Sequence, residues 1–314
     1  MSDPDTRAPL AEYHGEPPPA PAWFTSATSA APEVGRVTVE GAGIEILTWG
    51  ERGKPGLLFL HGNGAHAGWW RFIAPFFAAD YRVAALSWSG MGGSDHREIY
   101  RVETFIDEIF AVIEATGLRD AGPPRVVGHS FGGFPMMAAA TARGTELAAA
   151  VIVDTPFFLP GDAGRPADPT PRPHRVYATM TEALARFRFA PEQGCPNPFI
   201  ADDIARRSLV EVEGGWSWAF DPLRWRRMEM GDASKLLNTP QCPVALIWGE
   251  ASALMPPDRV AKMRAALPAS TPAIGIPNAE HHVMVDQPLA FVTALRGLFA
   301  GWRSDEDGVN PAAA

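Results

Sequence analysis

Apolar residues gather along this chain in short unbroken blocks. Leu57–Leu60, Tyr81–Leu86, Arg125–Val127, Ala149–Val153, Val244–Trp248 and Ala273–Ile276 are too short for helices and carry almost no polar alternation. Such blocks predict strands covered on both faces, the pattern of a parallel sheet. Between Arg36 and Trp49 the pattern alternates instead, with Val37 and Val39, then Ile44 and Ile46, on either side of Gly41-Ala42-Gly43. That predicts two strands joined by a tight turn. Helical spacing appears at Val102–Thr116, where Phe105, Ile109, Val112 and Ile113 share a face and Gly117 supplies the stop. It appears again at Phe134–Ala142, Arg259–Leu267 and Pro288–Phe299, and an aromatic segment with Trp69, Trp70, Phe72, Phe76 and Phe77 predicts one more helix. Strand and helix in alternation predict an α/β fold, a mostly parallel central sheet with helices on both faces.

The alternation stops after Asp154. Residues 155–241 crowd prolines between Pro156 and Pro173, then offer helix-like stretches at Val176–Phe187 and Ile200–Val212 and an aromatic region with Trp216, Trp218, Phe220 and Trp225. This insertion predicts a mainly helical lid over the strand ends, because both its ends join adjacent strands. The core is then 36–154 with 242–303. Residues 1–35, rich in Pro, Ala, Ser and Thr, predict a disordered or loosely attached tail with Trp23 and Phe24 as its points of attachment. Residues 304–314 predict a loose polar end.

Composition narrows the functions open to such a fold. With 27 Lys plus Arg against 36 Asp plus Glu and no basic stripe, the chain is a poor partner for nucleic acid. Cys195 and Cys242 stand far apart and outside any Cys-x-x-Cys pair, which argues against a zinc site or a disulfide framework. Asp3 and Asp5 lie where a signal peptide would be positive, and no apolar run reaches membrane-spanning length, so a cytoplasmic protein without a membrane partner is expected. Gly62-Asn63-Gly64-Ala65-His66-Ala67 formally fits a dinucleotide fingerprint, but the following strand runs into Ser87 and Trp88 rather than the acid that would hold a ribose. Glu280-His281-His282 lacks the spacing that would put two metal ligands on one helical face. No cofactor or metal is therefore expected; the partner is a small-molecule substrate, and the oligomeric state is unreadable.

The chemistry gathers where the blocks end. Gly128-His129-Ser130-Phe131-Gly132 follows a β-branched run and precedes a small-residue helix, the pattern of a nucleophile elbow. Its glycines flank a serine held in a strained conformation beside a helix N-terminus, where developing negative charge is favoured. His61-Gly62-Asn63-Gly64 closes another block, and its glycines would let the backbone approach a reacting carbonyl, so that the N–H groups of Asn63 and Phe131 form an oxyanion hole.

Together with Ala279-Glu280-His281-His282-Val283-Met284-Val285-Asp286-Gln287-Pro288, these motifs resemble the α/β-hydrolase fold superfamily from roughly Arg36 to Trp302. The resemblance implies a triad in the chain order Ser, acid, His, with Ser130 as nucleophile and His281 as base. Relatives with the acid after the penultimate core strand have Asp where Ser252 stands here, in Trp248-Gly249-Glu250-Ala251-Ser252. Others have it after the strand that follows the elbow helix, where Asp154 stands, so Asp154 is the first candidate and Glu250 the alternative. Haloalkane dehalogenases and epoxide hydrolases of the superfamily attack with Asp. A serine suits acyl transfer, with a small, apolar or aromatic carboxylic ester or lactone as substrate. A carbon–carbon bond hydrolase acting on a diketone would use the same groups, and cofactor-free oxygenases, lyases and ligand-binding receptors share the fold. Trp69, Trp70, Met91, Phe131, Trp216 and Trp218 are the candidate pocket lining.

Overall fold

The structure is a computed structural model and describes residues 8–157, 175–231 and 240–306. Its strands are β1 (Glu33–Val39), β2 (Ala42–Trp49), β3 (Gly56–Leu60), β4 (Arg82–Leu86), β5 (Tyr100–Arg101), β6 (Arg125–His129), β7 (Ala149–Val153), β8 (Leu209–Val212), β9 (Gly215–Trp218), β10 (Met228–Glu229), β11 (Val244–Gly249) and β12 (Ala273–Ile276). Eight of them form one sheet in the order β1-β2-β4-β3-β6-β7-β11-β12. β2 runs antiparallel to both β1 and β4, and every other neighbouring pair is parallel.

The apolar blocks explain this arrangement. Every residue of β3, β4, β6 and β7 is buried, and successive side chains go to opposite faces. Leu57, Phe59, Val83, Ala85, Val127, Val151, Val153, Ala245 and Ile247 enter one hydrophobic layer, while Leu58, Leu60, Ala84, Leu86, Val126, Ile152 and Leu246 enter the other. The first layer is closed by α1 (Ala22–Ser29) and α8 (Pro288–Glu306), the second by α2 (Val102–Thr116), α3 (Gly133–Arg143) and α6 (Pro257–Ala266). Among the described residues, no helix is long and apolar enough to cross a membrane.

Three expectations change. The N-terminal segment, read from composition as a loose tail, is folded from Ala8 onward. Leu10 and Phe24 are buried, and Trp23 and Phe24 pack edge-on against Phe199 of the insertion, at 6.1 and 4.9 Å. A few large aromatic rings bury enough area to order an otherwise poor segment. The aromatic stretch after the His61 loop forms two 3₁₀ turns, Ala67–Trp70 and Ala74–Phe76, rather than one helix, since Gly68 and Pro75 interrupt helical propagation.

In the insertion, the helices are α4 (Met180–Leu184) and α5 (Pro198–Arg207), both shorter than the apolar spacing suggested. Leu209–Val212 is not helical; it pairs antiparallel with Gly215–Trp218 around Glu213-Gly214, where Gly214 takes a φ of +86°. The parts of the insertion at 158–174 and 232–239, and the expected loose end beyond residue 306, lie outside the described residues. The insertion leaves the sheet after β7 and returns at β11, β7's neighbour. Its helix α5 joins the first hydrophobic layer through Ile200, Ala201, Ile204 and Ala205, and β10 pairs with β5.

Candidate active site

Three strand ends bring the site together. β6 ends in the turn Ser130–Gly132, which leads straight into α3. Ser130 has φ +51°, in the left-handed region that a side chain disfavours. The glycines on either side make this tight turn feasible. A Cβ on Gly128 would lie 2.8 Å from the Gly132 carbonyl oxygen, and one on Gly132 would lie 2.7 Å from that of His61. The serine side chain is only partly buried and so stays within reach of a ligand.

His281 follows β12, and Asp154 directly follows β7. Ser130 Oγ and His281 Nε2 are 2.9 Å apart, and His281 Nδ1 and Asp154 Oδ1 are 2.7 Å apart. A carboxylate only accepts, so Nδ1 carries the proton and Nε2 is left to accept from the serine hydroxyl. Asp154 is fully buried, again with a left-handed backbone (φ +43°). Its carboxylate accepts three hydrogen bonds: besides His281, Oδ1 accepts the Ser252 hydroxyl at 2.8 Å, and Oδ2 accepts the Gly249 N–H at 2.8 Å. Ser252 stands where many relatives of this fold place the acid, and here it anchors the acid supplied by the neighbouring strand. Glu250 is not in this cluster; it is exposed, with its carboxyl beside Gly275 of β12 and its N–H bonded to the Ile276 carbonyl.

Four other histidines, His61, His66, His129 and His282, are buried, and burial pushes the pKa of each down, so they act as neutral hydrogen-bonding groups. His61 is lowered to about 3 and His66 to about 4; His129 and His282 are lowered well below the ordinary value. The Trp88 N–H donates to His61 Nε2 at 3.0 Å, and His61 Nδ1 donates to the Gly62 carbonyl at 2.7 Å, which fixes the loop carrying Asn63. That loop touches Ser130, since a Cβ on Gly62 would lie 3.1 Å from Ser130 Cβ. His129 Nε2 donates to the His281 carbonyl at 3.0 Å and so ties the elbow to the histidine loop.

The insertion reaches the same loop with two side chains that nothing in the sequence singles out. Gln193 Oε1 accepts from the His282 N–H at 2.9 Å and from its Nδ1 at 2.5 Å, while Gln193 Nε2 donates to Asp286 Oδ1 at 2.9 Å. Asn197 Nδ2 donates to the Val285 carbonyl at 2.8 Å. Asp286 sits in the short helix α7 (Val283–Asp286) and accepts the Glu280 N–H at 2.8 Å. Burial, with the Glu280 carboxylate nearby, pushes its pKa up to about 7. The insertion, called the cap below, therefore braces the loop and short helix at residues 280–286.

The candidate lining residues separate. Trp69 stands by the catalytic loop, 5.3 Å from the His282 ring and 6.0 Å from Phe189, and Phe131 meets Trp225 of the cap at 6.3 Å. Trp70 does not reach the site: it is fully buried, stacked between Phe59 and Phe291. Met91 is also fully buried, in the layer beneath α2, and its backbone bridges to Phe220. Trp216 and Trp218 pack within the cap against Tyr177 and Phe187. Large apolar residues close to a motif look alike in sequence whether they face the core or the site. A cavity of about 550 Å³ lined by Pro243, Val244, Pro272, Leu298 and Trp302 opens at the opposite ends of β11 and β12, away from Ser130.

Residues 57–295 match the model of the alpha/beta hydrolase family. Among curated proteins, human epoxide hydrolase 4 is 32% identical over 102 residues, which cover 32% of this chain and 27% of that protein, so the match spans about a quarter of the relative's length. The esterase Rv0045c of Mycobacterium tuberculosis is 24% identical over 280 residues, covering 85% of this chain and 89% of the relative. Among solved structures, the thioesterase domain from the curacin biosynthetic pathway superposes with a TM-score of 0.71 at 25% identity, over 84% of this chain and 99% of that one.

Proposed function

The chain belongs to the alpha/beta hydrolase family, and from that premise we propose that it is a serine hydrolase that cleaves a small carboxylic ester or lactone through an acyl-enzyme. The carrying observation is the unbroken chain of hydrogen bonds from Ser130 Oγ through His281 to the buried Asp154, which Ser252 and Gly249 also hold. As the serine oxygen attacks the carbonyl carbon, its proton passes to His281 Nε2, and Asp154 stabilises the imidazolium that results. The N–H groups of Asn63 and Phe131 receive the oxyanion. Collapse of the tetrahedral intermediate expels the alkoxide, which takes the proton from His281. Water then attacks the acyl-enzyme, giving a proton to His281; the second tetrahedral intermediate collapses, His281 returns that proton to Ser130 Oγ, and the acid is released. Trp69, Phe131, Phe189 and Trp225 would form the apolar walls for the substrate's body.

Although epoxide hydrolases occur among the relatives, the nucleophile argues against that chemistry here. Their reaction forms an alkyl-enzyme ester on a carboxylate, and the elbow of this chain carries a serine. The test is the intact mass after treatment with a fluorophosphonate, with peptide mapping and a Ser130→Ala control, followed by rates on a panel of short and aromatic esters. One adduct on Ser130, lost in the control, together with ester turnover, supports the reading. A folded protein that takes up no adduct overturns it.

A further inference from the structure

Arg224 lies in the cap turn Arg224–Arg227 and is 2% exposed. A buried guanidinium is costly without a counter-ion or a full set of acceptors. The carboxylate close by in sequence, Asp221, is already engaged. Its Oδ1 accepts the Leu223 N–H at 2.8 Å, and its Oδ2 accepts the Tyr100 hydroxyl at 2.8 Å and Arg227 Nη1 at 3.1 Å. Among the described residues Arg224 Nε and Nη1 find no hydrogen-bond partner, and Nη2 donates to the side-chain oxygen of Asn63. Burial lowers the pKa of Arg224 to about 10, which leaves it cationic at neutral pH. The Asp221 carboxylate favours the cation through space and the Trp225 ring stands 5.5 Å from the guanidinium, but among the described residues no carboxylate bonds to Arg224, so the cap sets a cation without an ion pair of its own against the loop that touches Ser130.

Asn63 is exposed, and its amide oxygen brings no charge to the guanidinium it meets. A carboxylate in the same place would take over Nη2, offer a second oxygen to an unpaired N–H of the same guanidinium, and supply a counter-charge of its own, in the planar two-oxygen form that a guanidinium fork matches. We propose that Arg224 anchors a carboxylate carried by the substrate, which displaces the Asn63 side chain as acceptor, so that the preferred substrate is a monoester of a short dicarboxylic acid. The spacing follows from Asn63 itself. Its side-chain oxygen lies within a few bonds of the N–H assigned to the oxyanion, so roughly two to four carbons separate the two carbonyl carbons of the substrate. The aromatic rings beside the nucleophile would then flank the chain between its polar ends. This inference deepens the hydrolase reading of the same site and rests on it.

The experiment compares kcat/KM for an aryl hemiester of glutaric acid with that for its methyl-capped diester, in the wild type, Arg224→Gln and Arg224→Lys. The wild type should prefer the hemiester by about ten- to a hundredfold, the range of a hydrogen bond to a charged group. Arg224→Gln should collapse that ratio, and Arg224→Lys should keep part of it. A wild type with no preference, or an Arg224→Gln variant in which both esters fall in proportion, overturns the proposal while leaving the hydrolase reading intact. A second readout needs no turnover: free glutarate should raise the melting temperature of the wild type and not that of Arg224→Gln. A glutarate shift confined to the wild type, without cleavage of either ester, would keep the anion site and sink the hydrolase reading. Equal shifts in both proteins would overturn the anion site.

Discussion

The sheet and the cap meet at the histidine loop, and they hold it in different ways. From the sheet side the contacts come from strand ends. Asp154 follows β7, its partner Gly249 ends β11, its partners Ser252 and His281 follow β11 and β12, and Ser130 follows β6. All these atoms are fixed by the ladders of one sheet, so their geometry is as rigid as the backbone that carries them. From the cap side the contacts are long side chains, Gln193, Asn197 and Arg224, which reach across to loops of the core. A side chain can be exchanged without disturbing a ladder. The difference suggests a division in which the sheet supplies the chemistry and the cap supplies the fit, and each substitution below should break one half and spare the other.

The largest effect is expected at Ser130. Ser130→Ala should lower kcat/KM on any ester by at least about a thousandfold, because the residual rate would come from binding and oxyanion stabilisation alone. The melting temperature should stay within a few degrees, as only one partly exposed oxygen is removed. An Ala variant that kept a tenth of the rate would place the nucleophile elsewhere. Asp154→Asn should follow closely, with a loss of about a hundred- to ten-thousandfold, since an amide presents the wrong hydrogen-bonding face to His281 Nδ1. The sheet's own geometry offers a rescue. Ser252 already touches Asp154 Oδ1 at 2.8 Å, so the double variant Asp154→Asn with Ser252→Asp should regain part of the lost rate. No recovery would mean that the end of β11 cannot aim a carboxylate at this histidine.

The two regions also differed in how openly they were written in the sequence. The strands were legible because each is buried on both faces, which turns a tertiary fact into a local run such as Leu57–Leu60 or Ala149–Val153. Ser130, His281 and Asp154 stand at the ends of such runs, and the glycines around the serine mark a turn that other residues fit poorly. Ser252 was visible as a departure from a pattern, but its bond to Asp154 was not, because that bond depends on β7 and β11 lying side by side. In the cap nothing local distinguishes Gln193 or Arg224 from the other polar residues around them. Their partners in the core lie 89 to 161 residues away in sequence, and burial, the property that makes Arg224 unusual, exists only once the cap is in place. Trp70 and Met91 show the same limit from the other side, since an apolar residue close to a motif can as easily belong to the core.

A substitution at the cap brace should produce a smaller effect of another kind. Gln193→Ala removes both acceptor contacts to His282 and the donor to Asp286 but leaves Ser130, His281 and Asp154 bonded to one another. The expected result is a loss in kcat/KM of about three- to thirtyfold, a scale set by one or two buried hydrogen bonds. A loss as deep as that of Asp154→Asn would show that the cap shares in the chemistry, and the division drawn above would fail.

The smallest change in rate, and the most distinctive in stability, is expected at Asp286, beneath that brace. Its carboxyl is pushed up to about 7 from an ordinary value near 3.8 by burial, with the Glu280 and Asp154 carboxylates close by. The folded protein therefore holds this proton more tightly than the unfolded chain does. Lowering the pH from 7 towards 4 favours the folded state through this group, and above pH 7 the full cost of the buried charge is present. Asn resembles the protonated form in charge and shape, so Asp286→Asn should melt higher than the wild type at pH 8, and the two should converge as the pH approaches 4. Melting temperatures of both proteins across that range test the sign directly. A wild type that stays ahead at pH 8 would mean that the ionised carboxylate, bonded to Gln193 and the Glu280 N–H, stabilises the histidine loop by more than its burial costs.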